Sequence, residues 1–290
     1  MDLKGRTCII TGATSGIGEA TATELAGLGA TLGLLCRDEK KGRRTLEALR
    51  AKTGNDALHL FRADLASQAD IRNVAGEILS TFDEIHLLVN NAGVVNVSYT
   101  ETVDGIENTF AVNHLAYFLL TNLLLERVRA SAPARIVNVA SDAHKFVGGL
   151  NFDDLQHREK YASMRAYGRS KLANILFTKE LAKRLEGSGV TVNAVHPGAV
   201  ATGLGGNNGA WAKAIMKVVG LFFNSPAKGA ATSLFAATSP DLEGVSGRYY
   251  AKCKEVAPTA GARDDDAAAR LWTISEEMTG LATSSASVGQ

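Results

Sequence analysis

The sequence predicts an α/β fold of the doubly wound class, with helices on both faces of a parallel sheet of about seven strands. Short runs rich in β-branched residues alternate with longer segments of helical periodicity. These runs are apolar at nearly every position, which is typical of strands buried on both faces of a parallel sheet. The strands are expected near Thr7–Ile10, Thr31–Leu35, Ala57–Phe61, Ile85–Val89, Arg135–Val139, Thr191–Val195 and, last, Arg248–Tyr250.

Helices are expected between these strands, because the intervening segments repeat their apolar residues with helical spacing. They are predicted at Gly16–Leu28, Glu39–Lys52, Gln68–Phe82, from about Gly105 to Arg129, and from Tyr161 to Glu186. The 290 residues, 46% of them hydrophobic, can bury one large core, so we expect a single domain over residues 1–290. The small and polar residues 282–290 are predicted to form a disordered tail.

The regular alternation of strands and helices stops after Pro197. There the Gly-rich stretch 203–209 leads into the apolar segment Ala210–Phe223. In open α/β sheets, ligands bind at the carboxyl ends of the strands. Residues 203–223 are therefore a candidate substrate lid, and an ordinary core helix or a helix on a membrane surface are the alternatives.

The charge of the chain is close to balanced, with 31 basic and 30 acidic side chains and a formal net charge of +1. Such a chain has no basic face for nucleic acid, so the expected partner is a small molecule. The histidines lack the spacing of a metal site. The sequence shows no signal peptide, no apolar run long enough to span a membrane and no disulfide framework. We expect a cytoplasmic protein, and peripheral membrane association stays open.

The first strand runs into a turn with three glycines, Gly12, Gly16 and Gly18, at which the first helix begins. Glycines permit a tight turn and a close approach of the backbone to a pyrophosphate, and free N–H groups at the helix start favour its negative charge. A glycine turn alone is a weak signal. Its place directly between a first strand and a first helix predicts a nucleotide site.

The Gly-x-x-x-Gly-x-Gly spacing of this turn resembles that of the short-chain dehydrogenase/reductase family. Further motifs of the family follow in order: Asn90-Asn91-Ala92-Gly93, Asn113, Ser141, Tyr167-x-x-x-Lys171 and Pro197-Gly198. The resemblance implies a Rossmann-like sheet, a nicotinamide nucleotide as cofactor, and assembly as a homodimer or homotetramer. It places the nucleotide against Gly12, Ser15, Gly16, Ile17, Gly18, Arg37, Asp64, Leu65, Asn91, Ala92, Gly93, Tyr167, Lys171, Pro197, Gly198, Val200 and Thr202.

The choice between NAD and NADP depends on the end of the second strand. An acid there would bond the ribose 2′-OH, whereas an arginine would pair with a 2′-phosphate. Relatives that use NAD have the acid where this chain has Cys36, and relatives that use NADP have a base where Arg37 stands. We therefore expect NADP(H) rather than NAD, and we interpret Asp38 as the start of the next helix. For Asp64 the resemblance implies an adenine contact, and a helix cap is the alternative; it could serve both.

Tyr167 and Lys171 are the candidate proton-transfer pair. Residues four apart share one helical face, so the ammonium of Lys171 is expected to lower the pKa of the Tyr167 phenol. The resemblance implies that Lys171 also holds the nicotinamide ribose, that Ser141 bonds the substrate carbonyl oxygen, and that Asn113 holds a water in a proton relay. Ser141 taken alone could be a helix cap. Reduction would combine a hydride from NADPH with a proton from Tyr167, and oxidation would reverse the path.

The segments Tyr167–Thr178, Leu150–Leu155 and Leu271-Trp272 resemble the retinol dehydrogenase branch of the family. That branch acts on lipophilic aldehydes, ketones and alcohols, retinal among them, generally with NADP(H). A catalytically silent regulator or scaffold that binds NADP(H) is the alternative function. The complete set of four catalytic candidates argues against it, because a sensor would need only the nucleotide site.

Overall fold

A computed structural model describes residues 2–198 and 225–281 of the chain. Within these ranges, eight strands form one sheet: β1 Thr7–Thr11, β2 Thr31–Cys36, β3 Leu58–Arg62, β4 Leu87–Asn90, β5 Ala134–Val139, β6 Val190–His196, β7 Tyr249–Ala251 and β8 Lys254–Glu255. Their order is β3-β2-β1-β4-β5-β6-β7-β8, and every neighbouring pair is parallel except β7 with β8. The predicted lid at 203–223, the tail at 282–290, Val200 and Thr202 lie outside the described residues.

Helices cover both faces of this sheet, as the doubly wound prediction requires. They are α1 Gly16–Gly27, α2 Glu39–Thr53, α3 Gln68–Thr81, α4 Asn108–Phe110, α5 Ala116–Ala130, α6 Ser163–Arg184, α7 Pro226–Thr238 and α8 Asp265–Thr279. Successive residues of β1 face opposite layers: Ile9 packs in a core cluster with residues of α3, α5 and α6, and Ile10 in a cluster with residues of α1, α2 and α7. The continuous apolar pattern of the strands therefore reflects burial on both sides.

The long helix predicted from about Gly105 begins later, at Asn108. Gly105 has a φ of +70°, and the residues around it form a turn closed by a bridge between Glu101 and Glu107. The carboxylate of Glu107 accepts the N–H groups of Thr109 (2.8 Å) and Phe110 (2.7 Å) and so caps the helix. The helix is also not regular, because residues Ala111–Leu115 form a π turn between α4 and α5. Helical periodicity marks the segment but does not locate the turn that precedes it.

The C-terminal helix α8 and the short strand β8 are elements that the sequence analysis did not predict. Asp264 caps α8 by accepting the N–H of Ala267 (2.9 Å), and Gly280 ends it in the left-handed conformation. Trp272 packs between Phe118 of α5 and Phe177 of α6, with ring centroids 4.9 and 5.9 Å away. The C-terminal helix therefore belongs to the core layer that carries α5 and α6.

The described part of the chain contains no helix that is long and apolar enough to cross a membrane. Its three cysteines, Cys8, Cys36 and Cys253, are free thiols.

Candidate active site

The predicted site residues converge at one edge of the sheet. Because β1, β4, β5 and β6 are parallel neighbours, their carboxyl ends lie side by side. The segments that follow these ends carry the glycine turn, Asn91–Gly93, Ser141 and Pro197-Gly198. The sheet thus brings motifs that are far apart in sequence to the same edge, at the carboxyl ends of its strands.

The glycine turn after β1 is packed too tightly for side chains. A Cβ atom on Gly18 would lie 2.3 Å from the carbonyl oxygen of Gly12, and Gly12 and Gly16 have positive φ angles of +67° and +58°. Ser15 occupies the cap position of α1, is exposed, and makes no side-chain cap bond. Ser15 therefore leaves the first N–H groups of α1 without a side-chain cap, and such a helix start fits a pyrophosphate.

Thr11 and Asn91 hold this turn against the loop after β4. The Thr11 hydroxyl oxygen accepts the N–H groups of Asn91 (2.8 Å) and Ala92 (3.0 Å), and the Asn91 side chain donates to the Thr11 carbonyl (2.8 Å). The Asn91 amide thus holds the glycine turn in place through the backbone of Thr11. The sequence analysis did not identify Thr11, although a threonine between a strand and a glycine turn is a signal for such a bridge.

The end of β2 carries the residues expected to choose the nucleotide. Asp38 caps α2 by accepting the N–H of Lys41 (3.0 Å), which confirms its interpretation as a helix start. This backbone hydrogen bond also lowers the pKa of Asp38. Arg37, immediately before it, is exposed at the carboxyl end of the strand, where a 2′-phosphate could reach its side chain.

Asp64 does not cap the helix that follows β3. Its carboxylate accepts the N–H of Ala66 (3.0 Å) in a local turn, whereas the cap of α3 is Ser67, which accepts the N–H of Asp70 (3.2 Å). The helix-cap alternative was therefore wrong, because the cap position is Ser67, three residues further along the chain. Leu65, next to Asp64, is buried.

Lys171 is a buried cation held by a backbone carbonyl. Its ammonium donates to the carbonyl oxygen of Val139 (2.9 Å) at the end of β5. It also lies 5.8 Å from the ring centroid of Tyr167 and 5.6 Å from that of Tyr117. Burial lowers the pKa of Lys171 to about 7, because the ammonium has lost most of its hydration.

The pKa of Tyr167 is raised, not lowered as we expected from its neighbour Lys171. Burial is the main cause, and a hydrogen bond with the Ser141 side chain opposes it. The physical reason is that desolvation disfavours the phenolate, while the same desolvation brings the Lys171 pKa down toward neutrality. Tyr167 is therefore a protonated phenol at neutral pH, which suits a proton donor.

Ser141 caps a short 3₁₀ helix, Asp142–Phe146, and still faces Tyr167. Its hydroxyl oxygen accepts the N–H of Ala143 (3.1 Å), so its own proton is available to another acceptor. Gly168 allows this close approach of α6, since a Cβ there would lie 2.8 Å from the Ala143 carbonyl oxygen. The cap and the catalytic assignments of Ser141 are thus compatible.

Three side chains behind Ser141 were not identified from the sequence. His144 donates from Nδ1 to the Ser141 carbonyl (2.7 Å), and its Nε2 accepts the N–H of Thr259. His196 accepts the Asp142 N–H (3.3 Å), and Tyr249 donates to the Asp142 carboxylate (3.0 Å). The Ser-Asp-Ala-His stretch is the sequence signal for this support.

Asn113 lies in the π turn and is fully buried, and its side-chain amide is hydrogen-bonded to other residues. Its amide accepts from and donates to the backbone of Val94 (2.7 and 3.0 Å) and donates to the Ser170 hydroxyl (2.9 Å). A Cβ on Gly93 would lie 3.2 Å from Asn113 Oδ1 and 3.5 Å from Lys171 Nζ. Asn113 therefore fixes the loop after β4 against α6, at the position where π turns often mark functional sites.

The remaining predicted contacts are described in part. Ile17 is buried, Pro197 and Gly198 are half-buried after β6, and Gly198 has a φ of +85°. Across residues 2–198 and 225–281, no cluster of three or more His, Cys, Asp or Glu side chains could hold a metal ion. The residues at this edge instead fit a nucleotide, since they offer a tight glycine turn, a helix start that Ser15 does not cap and a buried lysine.

The relatives found by sequence comparison cover nearly the whole chain. The family model described as short chain dehydrogenase matches residues 6–213. Retinol dehydrogenase 12 of Mus musculus is 45% identical over 97% of this chain and 88% of its own length. Retinol dehydrogenase 14 of Mus musculus is 46% identical over 96% of this chain and 87% of its own.

Solved structures share the fold. A putative uncharacterized protein from Mycobacterium paratuberculosis has a TM-score of 0.77 at 33% identity, covering 96% of this chain and 95% of its own. A short chain dehydrogenase from Burkholderia cenocepacia in complex with NADP has a TM-score of 0.68 at 26% identity, covering 91% of this chain and 100% of its own.

Proposed function

This chain belongs to the short-chain dehydrogenase family, and from that premise we propose that it interconverts the carbonyl and alcohol forms of a lipophilic small molecule with NADP(H). The chain is an oxidoreductase acting on CH–OH and C=O groups. The observation that carries the proposal is the arrangement of Ser141, Tyr167 and Lys171, with a protonated phenol between a hydroxyl donor and a buried cation.

Each of these side chains has a task in carbonyl reduction. Ser141, whose oxygen already accepts the Ala143 N–H, donates a hydrogen bond to the carbonyl oxygen and orients it, keeping its own proton. Tyr167 transfers its phenolic proton to the same oxygen as negative charge develops there. NADPH, when bound, supplies the hydride to the carbonyl carbon.

Lys171 stabilises the Tyr167 phenolate that remains after the proton has been transferred. A tyrosinate is favoured by a nearby cation, and the ammonium lies 5.8 Å from the Tyr167 ring centroid. Burial lowers the pKa of Lys171 to about 7, so the charge that favours a tyrosinate changes near neutral pH. Oxidation of an alcohol uses the same groups in reverse.

The cofactor proposed for this chain is NADP(H). Its support is the exposed guanidinium of Arg37 beyond β2, together with the engagement of Asp38 as the cap of α2. The Asp38 carboxylate is directed to the start of α2, where its Oδ1 accepts the Lys41 N–H. Relatives of known structure carry NADP, the Burkholderia cenocepacia protein among them.

The substrate class proposed is a hydrophobic aldehyde, ketone or alcohol, with retinal and retinol as the first candidates because curated relatives are retinol dehydrogenases. Met164 lies three residues before Tyr167 on the same face of α6 and is 53% exposed. An exposed apolar side chain one helical turn from the reacting phenol suits a lipophilic substrate.

The deciding experiment follows NADPH oxidation with a series of aldehydes and ketones of rising hydrophobicity, each matched to a polar carbonyl of similar size. The proposal predicts turnover that increases along the apolar series, slower turnover with NADH, and the reverse reaction with the corresponding alcohols. Tight NADPH binding without turnover on any compound would contradict the proposal and support the silent regulator.

Assembly as a homodimer or homotetramer is proposed on the family resemblance, and a cytoplasmic location on the cysteine usage and hydropathy of the sequence. Light scattering after gel filtration measures the assembly state, and cell fractionation of the untagged chain measures the location. A purely monomeric protein, or one recovered with membranes, would contradict the corresponding proposal.

A further inference from the structure

Tyr117, in the first turn of α5, is a tyrosine in the apolar core. It is 1% exposed and belongs to the core cluster that contains residues of α3, α5 and α6. Its hydroxyl donates a hydrogen bond to the carbonyl oxygen of Ala92 (2.7 Å), in the loop after β4. A phenylalanine would fill the same apolar space, so the hydroxyl is the part of this side chain that core packing does not explain.

The loop after β4 is held at the residues on both sides of Gly93. The Ala92 carbonyl accepts from Tyr117, and the backbone of Val94 is bonded in both directions to the Asn113 amide (2.7 and 3.0 Å). The Ala92 carbonyl belongs to the peptide unit that leads into Gly93. Tyr117 therefore fixes the orientation of this peptide unit, in the loop that is expected to contact the nucleotide.

The ring of Tyr117 contacts the catalytic lysine. Lys171 Nζ lies over this ring, 5.6 Å from its centroid, and over the Tyr167 ring at 5.8 Å. The quadrupole of an aromatic ring attracts a cation within about 6 Å of its centroid, and more strongly where water is excluded. Lys171 is 2% exposed, so its ammonium has little water to compete with the two rings. A Cβ on Gly93 would lie 3.5 Å from the same nitrogen, so the loop passes beside it.

We propose that Tyr117 is a positioning residue that joins the nucleotide loop to the proton-transfer pair: its hydroxyl sets the Ala92–Gly93 peptide, and its ring holds the Lys171 ammonium. The proposal rests on the proposed function, since it takes the loop after β4 as part of the nucleotide site and Lys171 as the partner of Tyr167. The two parts of the side chain serve different neighbours, so each can be removed separately.

Tyr117→Phe removes the hydroxyl and keeps the ring. The Ala92 carbonyl then loses its donor, and the loop that is expected to bind the nucleotide is held less firmly. We expect the Kd for NADPH to rise about five- to tenfold. The Lys171 pKa should stay at its wild-type value, because the ring face is retained. Isothermal titration calorimetry measures the affinity, and NMR titration of the lysine side chains measures the pKa.

Tyr117→Leu removes the ring as well and keeps the surroundings of Lys171 apolar. The ammonium then loses one of the two ring faces that favour it, so we expect the Lys171 pKa to fall by about 0.5 to 1 pH unit. The Lys171 signal is identified by its absence in Lys171→Met. Tyr117→Met fills more of the vacated space and replaces the leucine variant if that variant does not fold.

The change in pKa can be attributed to the ring, because Tyr117 carries no charge. Within residues 2–198 and 225–281, the other titratable groups whose rings face the ammonium are the phenols of Tyr117 and Tyr167. Burial raises the pKa of both phenols, so neither is ionised near pH 7. The titration near pH 7 is that of Lys171, whose pKa burial lowers to about 7.

Phe118→Leu is the matched control, because Phe118 is the next residue of α5 and is also fully buried. Its ring lies against Phe177 and Trp272, with centroids 5.6 and 4.9 Å away. This variant should lower Tm as Tyr117→Leu does, but leave the Kd for NADPH and the Lys171 pKa unchanged. If Tyr117→Leu differs from wild type in Tm alone, as the control does, Tyr117 is an ordinary core residue and the inference fails.

The two parts of the inference have separate contradictions. Wild-type NADPH affinity in Tyr117→Phe would overturn the role of the hydroxyl. An unchanged Lys171 pKa in Tyr117→Leu, or a raised one caused by water entering the vacated space, would overturn the role of the ring. A wild-type protein that binds NADPH but turns over no carbonyl compound would instead refute the proposed function, because neither readout requires turnover.

Discussion

The glycine turn after β1 and the catalytic face of α6 lie at the same edge of the sheet, yet different forces hold them. The turn is built from backbone and small residues, with Thr11 bonding the loop after β4 and with no room for a Cβ on Gly12 or Gly18. The catalytic face is built from buried side chains, in which Lys171 and Asn113 are bonded to backbone carbonyls or to other side chains.

This difference predicts different failures. Added volume should damage the nucleotide turn, because steric room is what its glycines provide. Changes of charge or hydrogen bonding should damage the catalytic face, because its polar groups are desolvated and their pKa values depend on their partners. Arg37, beyond β2, belongs neither to the glycine turn nor to the catalytic face. Its side chain is exposed, so solvent and salt screen its charge.

The largest effect is expected at the catalytic face, from Tyr167→Phe. Only the proton donor is lost, so kcat should fall by roughly 10²- to 10⁴-fold while NADPH affinity stays near that of the wild type. Steady-state kinetics and NADPH fluorescence titration measure the two quantities. Wild-type turnover in this variant would refute the assignment of Tyr167.

Gly18→Ala tests the turn by volume alone. Its Cβ would lie 2.3 Å from the Gly12 carbonyl oxygen, so backbone must shift, at a cost of about 1–3 kcal/mol. We expect a lower Tm and weaker NADPH binding. Gly27→Ala, in the same helix with no atom within 4 Å of the added Cβ, is the control. Equal Tm and equal NADPH affinity in the two variants would show that the turn accommodates a Cβ at Gly18 without strain.

The pH dependence of stability tests the burial of Lys171. Its pKa is about 7 in the folded chain and near 10.5 when exposed. Between these values the unfolded chain binds more protons, so the free energy of unfolding rises with pH by up to about 1.4 kcal/mol per pH unit. Below pH 7 both states are protonated and this slope vanishes. Denaturant titrations should show the slope in the wild type and not in Lys171→Met; parallel pH profiles would contradict the shifted pKa.

The smallest effect is expected at the exposed Arg37. Arg37→Ala should raise the KM for NADPH about tenfold, roughly 1.4 kcal/mol, and leave the KM for NADH unchanged. High salt should reduce the difference, because the side chain is exposed. An equal loss for both nucleotides would reject the 2′-phosphate assignment.

Much of the fold was predictable because its periodicity is local. Helices α1, α2 and α3 begin where the sequence predicted, at Gly16, Glu39 and Gln68, and the predicted strands fall on β1 to β7. The start of the long helix was wrong because the buried Glu107 cap and the Gly105 turn depend on contacts with other segments. The π turn has no sequence signature of its own, since one extra residue leaves the apolar spacing nearly unchanged.

The candidate site was predictable in its members but not in its electrostatics. Motif order named Asn113, Ser141, Tyr167 and Lys171, and the sheet brings their segments to one edge. The predicted lowering of the Tyr167 pKa was wrong. Helical spacing identifies Lys171 as the neighbour of Tyr167, but it does not show that desolvation raises the pKa of the phenol and lowers that of the lysine. Thr11 was missed, since it bonds to Asn91 and Ala92, which are distant from it in the chain.

By itself, the sequence determined the alternation of strands and helices, the glycine turn and the Tyr-x-x-x-Lys pair, because periodicity and spacing are properties of neighbouring residues. Only the tertiary structure decided how completely Lys171 is buried and which backbone carbonyl accepts its ammonium. Desolvation is a sum over the groups packed around an atom, and here those groups come from β5, α5 and α6.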